Sequence, residues 1–219
     1  METDFAQMAG REIVARLAAL PDRSTVAVRR WRRGQSRRLA GLPGADMLRV
    51  AKTVLASRDP LRRFVAYELI RDHPAAVRAL SPRSVCALAG RLATWGDADM
   101  FGCFVAGPAW RAGRVRDADV LSWTRSRDRW WRRAALVATV PLNVRAQGGA
   151  GDARRTVRIC ETLVADREPV VVKALSWALR ALVARDAPAV RRFLVRHADD
   201  VAPLVRREVT SKLRTGRKS

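Results

Sequence analysis

A chain of 219 residues, 48% hydrophobic and 29% charged, is long enough to bury a substantial core and too apolar to be a disordered tail. Its 43 Lys and Arg against 21 Asp and Glu leave a net charge of +22 at pH 7, a balance that points to a polyanionic partner, nucleic acid first. No window approaches the uncharged apolar length of a membrane span, and Met1-Glu2-Thr3-Asp4 opens no secretory signal, so the chain is expected in the cytosol.

Apolar residues recur with the helical period nearly throughout, as in Val157, Ile159, Cys160, Leu163 and Val164, and alternating strand patterns are absent. The fold class expected is one all-α domain. Proline and glycine stops at Pro21-Asp22, Pro43-Gly44, Asp59-Pro60, His73-Pro74, Ser81-Pro82, Gly107-Pro108, Gly148 to Gly151 and Ala187-Pro188 cut it into about eleven helices. The first region, residues 1–58, carries Arg29, Arg30, Arg32, Arg33, Arg37 and Arg38 around Trp31, a density better suited to a phosphate backbone than to a core helix. A partly disordered arm is the alternative. Cys86, Cys103, Cys160, His73 and His197 are scattered, which favours buried thiols and surface histidines over a zinc site, so no metal is expected.

Across residues 59–213, four helix starts look alike: Asp59-Pro60-Leu61-Arg62-Arg63-Phe64, Asp128-Arg129-Trp130-Trp131-Arg132-Arg133, Glu168-Pro169-Val170-Val171-Val172-Lys173 and Ala202-Pro203-Leu204-Val205-Arg206-Arg207. An acid followed by proline is a helix start with a physical reason, since the carboxylate caps free N–H groups and proline has none to leave unpaired. The starts lie 69, 40 and 34 residues apart, so one copy is missing near residue 94, where Trp95-Gly96-Asp97-Ala98-Asp99-Met100 sets a tryptophan and an acid four positions apart. This period matches HEAT-like repeats, whose stacked hairpins curve into a solenoid. Arg133, Lys173 and Arg207 would then project into one concave basic groove, with Arg63 and Arg132 near it. Positive charge near a helix N-terminus opposes the macrodipole, so a bound phosphate explains these cations better than solvation does. Trp110 and Trp123 read as core, Trp130 and Trp131 cannot both face inward, and residues 214–219 form a frayed basic tail.

Thr94-Trp95-Gly96-Asp97-Ala98-Asp99, Asp128 to Leu136, and Lys173-Ala174-Leu175-Ser176-Trp177-Ala178-Leu179-Arg180, in this order and spacing, resemble the bacterial AlkD-like DNA alkylation repair glycosylases from about Asp59 to Leu213. The resemblance implies a monofunctional enzyme of base excision repair that removes N3-methyladenine and N7-methylguanine from double-stranded DNA. It also implies a cytoplasmic, nucleoid-associated bacterial protein without cofactor. By position Asp99 matches the family's catalytic carboxylate, Trp95 and Trp177 its aromatic walls, and Arg133 its DNA-contacting arginine. Arg180 matches a further basic residue. The family's amino-terminal aromatic beside a Gly-Val or Gly-Ile turn has no counterpart here, and Trp31 is the available substitute.

The residue types suit that chemistry. An alkylated purine already carries positive charge and leaves readily, and the sugar left behind develops oxocarbenium character that a carboxylate stabilises. Indole faces attract cations and pack on deoxyribose, while arginine forks fix phosphates. The family acts on a lesion still in the stack, so no deep base pocket is expected. Asp99 is alternatively a helix cap, as is Asp97 two residues away. Lys173, in the phosphate slot, is read as a DNA contact and not as a Schiff-base nucleophile. The rival readings are a non-catalytic DNA-binding relative and a helical-repeat scaffold for RNA or an acidic protein. Nothing signals oligomerisation, so a monomer is the default.

Overall fold

The computed structural model of the chain describes residues 2–56 and 59–216, and every regular element among them is helical. None of these helices is long and apolar enough to cross a membrane. Contacts divide the chain into two compact units, Met1–Gly90 and Arg91–Ser219. The helices on either side of residue 58 pack together inside the first of them.

The first unit contains α1 (Glu2–Ala18), α2 (Thr25–Arg38), α3 (Gly44–Leu55), α4 (Pro60–Arg71), α5 (Pro74–Ala79) and α6 (Pro82–Ala89). Helix α3 packs on α1, α4 and α5, burying Ile13, Leu17, Met47, Val50, Val54 and Ile70. The arginine-rich segment is an ordered helix, α2, capped by Ser24 and packed on α4. It corrects the expectation that this arginine density suits a phosphate backbone better than a core helix, and the alternative of a partly disordered arm. Arg32 is buried and pairs with Glu68 (3.0 Å) and with Asp72, Arg29 reaches Glu68 (3.4 Å) across the Phe64 ring, and Arg38 pairs with Glu12 (2.7 Å). Arg33 and Arg37 lie exposed on its outer side. Two further expectations are corrected here. His73 is buried, because its Nδ1 accepts the Ala76 N–H and caps α5, and Cys86 is exposed.

The second unit contains α7 (Trp95–Phe101), a π-helical turn (Gly102–Ala106), α8 (Gly107–Arg111), α9 (Asp117–Thr124), α10 (Arg129–Val137), α11 (Val140–Asn143), α12 (Ala153–Thr162), α13 (Pro169–Val183), α14 (Ala187–Arg196) and α15 (Pro203–Thr215). Helices α7, α10, α13 and α15 follow one another as neighbours in one row. Helices α9, α12 and α14 form a second row, with α9 packed on α10 and α12 on α13. This is a helical repeat. Its row helices start after Thr94, Asp128, Glu168 and Ala202, so the copy expected near residue 94 is present and the starts are those read from the sequence. Thr94 and Asp128 cap with their side chains, whereas Glu168, against expectation, and Ala202 make no capping hydrogen bond.

Gly107-Pro108 does not end a helix as expected. The backbone stays helical from α7 into α8 because the intervening turn widens, with Gly107 N–H donating to the Gly102 carbonyl five residues back. Such a bulge accommodates a proline that an α-helical interior would reject. The same rod needs its glycines. A Cβ on Gly102 would stand 2.7 Å from the Val137 side chain, and one on Gly107 would stand 2.7 Å from the Ala138 carbonyl. Of the basic tail, Arg214 and Thr215 belong to α15 and Gly216 closes that helix with φ 67°, while residues 217–219 lie outside the described residues.

Candidate active site

The caps set a common register. Five residues after Asp128, Glu168 and Ala202 stand Arg133, Lys173 and Arg207, and five residues after Thr94 stands Asp99. The same position after Asp59 is Phe64, with Arg63 one residue earlier. With Thr94 as the N-cap, Asp99 takes the place where the neighbouring repeats carry cations, as the sequence had suggested.

That cap also shows which of the two aspartates holds the helix start. Thr94 Oγ1 accepts the Asp97 N–H (3.1 Å), and Asp97 Oδ2 accepts the N–H groups of Ala93 (3.1 Å) and Thr94 (3.0 Å), a reciprocal capping box. Asp97 therefore holds the helix start and Asp99 is released from that duty. Its side chain is 18% exposed. Arg133 donates to both its oxygens, Nε to Oδ1 and Nη2 to Oδ2, each at 2.8 Å, and gives Nη1 to the Val170 carbonyl in the first turn of α13. With 8% of its side chain exposed, Arg133 is committed to Asp99 and to the neighbouring repeat and does not project outward. Burial raises the pKa of Asp99 above the ordinary aspartate value, and the hydrogen bonds and charge of Arg133 offset this only in part.

Aromatic packing keeps α7 in place. Phe101 at its end meets Trp123 and Trp131 with ring centres 5.8 and 5.7 Å away, and those two tryptophans lie 5.4 Å from each other. Trp110 and Trp123 are buried as expected. Trp131 turns to this cluster while Trp130 lies under the Arg129 guanidinium, 5.4 Å from the ring centre. Trp95, one turn before Asp99 on the same helix face, is 65% exposed.

The remaining candidates divide into engaged and open side chains. Arg132 is held by Asp166 (2.7 Å) and by the Ser126 and Arg127 carbonyls, and Arg180 bonds Ser176 and reaches Glu208 on α15 (3.4 Å). Both stitch one repeat to the next or one turn to another. Lys173 and Arg207 are exposed and have no partner among the described residues, and Trp177 sits half-buried one turn after Lys173. Arg63 and Trp31, both half-buried, belong to the first unit. Among the described residues no group of three or more His, Cys, Asp or Glu side chains is placed so that it could hold a metal ion.

The model of the family described as DNA alkylation repair enzyme matches residues 19–213. The chain belongs to that family. The match starts well before Asp59 and so takes in α2 and α3 of the first unit, which the resemblance read from motifs had left out. A solved structure titled "Predicted DNA alkylation repair enzyme from Enterococcus faecalis" is similar over 95% of this chain and 96% of its own, at 16% identity and a TM-score of 0.69. At that identity the likeness is one of fold. Comparison with curated proteins gave no match.

Proposed function

We propose that this DNA alkylation repair family member is a monofunctional glycosylase that removes cationic alkylpurines, such as N3-methyladenine and N7-methylguanine, from duplex DNA, using Asp99 and no cofactor. The observation that carries the reading is an under-compensated carboxylate. Asp99 stands where the other three helices of its row carry Arg133, Lys173 and Arg207, and a single arginine fails to cancel the cost of burying it. A further positive charge placed beside it lowers that cost, and the reacting sugar is such a charge.

In the reaction the C1′–N bond breaks with its electron pair going to the purine, which leaves neutral. C1′ becomes electron-poor and shares the charge with the ring oxygen. Asp99 stabilises that charge and orients the water that adds to C1′, whose proton passes to the carboxylate or to solvent, leaving an abasic site. Arg133 acts as a positioning residue: its fork fixes both oxygens and favours the ionised acid. Trp95 and Trp177 offer indole faces to the lesion nucleotide, and Lys173 and Arg207 contact phosphates along the row. Arg63 and Trp31 are assigned to DNA contacts of the first unit. In this reading the repeats are HEAT-like, the row lines a concave basic groove, and the protein acts as a monomer without a deep base pocket.

The test is release of N7-methylguanine from methylated duplex DNA by the wild type and by Asp99→Asn, with duplex affinity measured in parallel. Excision by the wild type is expected, with a loss of about a thousandfold in the variant, at similar affinity. A folded wild type that binds DNA and releases no base would replace this reading with that of a binding-only relative. An affinity that does not respond to salt would remove the phosphate contacts as well.

A further inference from the structure

A second basic groove lies on the other row of helices. It has a volume of about 520 Å³ and is lined by two pairs of arginines, Arg154 and Arg158 on α12 and Arg192 and Arg196 on α14, against two acids, Glu161 and Asp186. Val157 and Phe193 add apolar surface to its lining. Arg154 and Arg158 stand on the opposite side of α12 from Thr156, Ile159 and Cys160, which are buried, so the groove opens away from the core that α12 shares with α13.

Each pair is spaced four residues apart on its helix, and like charges at that spacing oppose one another. Local acids relieve half of the array. Arg154 reaches Asp117 (3.1 Å) and Arg196 reaches Glu161 (2.9 Å). Arg158 and Arg192 are exposed and have no partner among the described residues. Two unmatched guanidinium forks on neighbouring helices, beside apolar lining, suit a ligand that presents successive tetrahedral oxyanions.

We propose that this groove binds the phosphodiester backbone of a second nucleic-acid segment, so that one molecule holds two duplexes at once, one along the row carrying Asp99 and one across α12 and α14. A polyphosphate backbone is favoured over an acidic peptide because arginine forks match phosphate oxygens bidentately. A protein that holds two segments can also pass from one to the other without full release.

The experiment mixes donor-labelled and acceptor-labelled undamaged short duplexes with the protein and reads energy transfer, with the stoichiometry checked by native mass spectrometry. Because no lesion is present, the outcome is independent of whether Asp99 excises bases. The wild type is expected to give transfer from a complex of one protein and two duplexes. Arg158→Ala/Arg192→Ala should retain one duplex and lose the second by at least tenfold in affinity, with excision from a single-lesion duplex unchanged. The second binding event in the wild type should weaken with salt, and losing two contacts should make the log–log slope shallower by about 1.8. Transfer that persists in the variant, or a wild type that holds only one duplex, overturns the proposal. So does polyglutamate binding that the double substitution abolishes while duplex stoichiometry stays as in the wild type, an outcome that would assign the groove to an acidic protein.

Discussion

Among the described residues each compact unit buries one arginine, Arg32 against Glu68 and Asp72 in the first and Arg133 against Asp99 in the second, and the two arrangements differ in charge balance. Around Arg32, the acids Glu68 and Asp72 are met by Arg29 and Arg71 as well. Burial works to raise the pKa of Asp72, but the bonds and charges of Arg71 and Arg32 outweigh it and hold the carboxyl below its usual range. Around Arg133 there is one acid and one base, and burial wins, so the pKa of Asp99 is raised. A carboxylate saturated with cations is a staple, whereas one left short of cation has something to gain from a positively charged substrate.

Arg133→Gln should break the second arrangement most severely. Removing one partner of a buried pair typically costs about 3 to 5 kcal/mol, and the Val170 carbonyl loses its donor too. The remaining acid loses what opposed its burial, so its pKa rises further. Excision requires the ionised acid and falls as pH drops through that pKa, so the acid limb of the rate profile should move to higher pH in the variant. At neutral pH a loss of about a hundredfold is expected, with partial recovery on the alkaline side. An unshifted limb at equal folding would reduce Arg133 to a purely structural role and undo the contrast.

The first arrangement breaks through Arg32→Met, whose effect belongs to stability alone. Denaturant unfolding should show the first unit weakened by about 3 kcal/mol, while excision per folded molecule stays at the wild-type level. The pH dependence carries the opposite sign from that of Asp99. Asp72, with its folded pKa depressed, stabilises the fold above the unfolded value near ~3.9 and loses this as pH falls through the folded value. The variant should therefore lose less stability on acidification than the wild type. Asp99, raised, makes folding less favourable as pH climbs from the unfolded value to the folded one.

Helices and repeat starts were legible in the sequence because proline, an acid and a helical apolar period are local signals, and all four starts and the missing copy lie where they point. What was not legible required partners distant in the chain. The arginines of α2 read as phosphate contacts, since nothing in that segment shows that Glu68 and Asp72, some 36 and 40 residues beyond Arg32, fold back onto it. Arg133 likewise read as outward-facing, and only the fold turns it toward Asp99, 34 residues earlier. Gly107-Pro108 read as a stop because a π-helical turn that accommodates proline has no sequence mark of its own.

The mildest change tests the remaining members of the cation slot. Lys173 is exposed and unpaired among the described residues, so Lys173→Ala removes neither packing nor an internal partner, and stability should move by less than about 0.5 kcal/mol. If the slot faces phosphate wherever it holds an open cation, duplex affinity should fall uniformly across sequences, and the slope of log affinity against log salt should become shallower by about 0.9, the loss of one contact. Arg207→Ala should do the same, and the pair should add, since the residues stand on different helices and share no partner. Arg132→Ala differs in kind, because its guanidinium already serves Asp166 and two carbonyls. It should lower stability and leave the slope alone. Slopes unchanged by the first two substitutions would leave Asp99 beside an ordinary solvated face, and the register that relates it to its neighbours would carry no functional meaning.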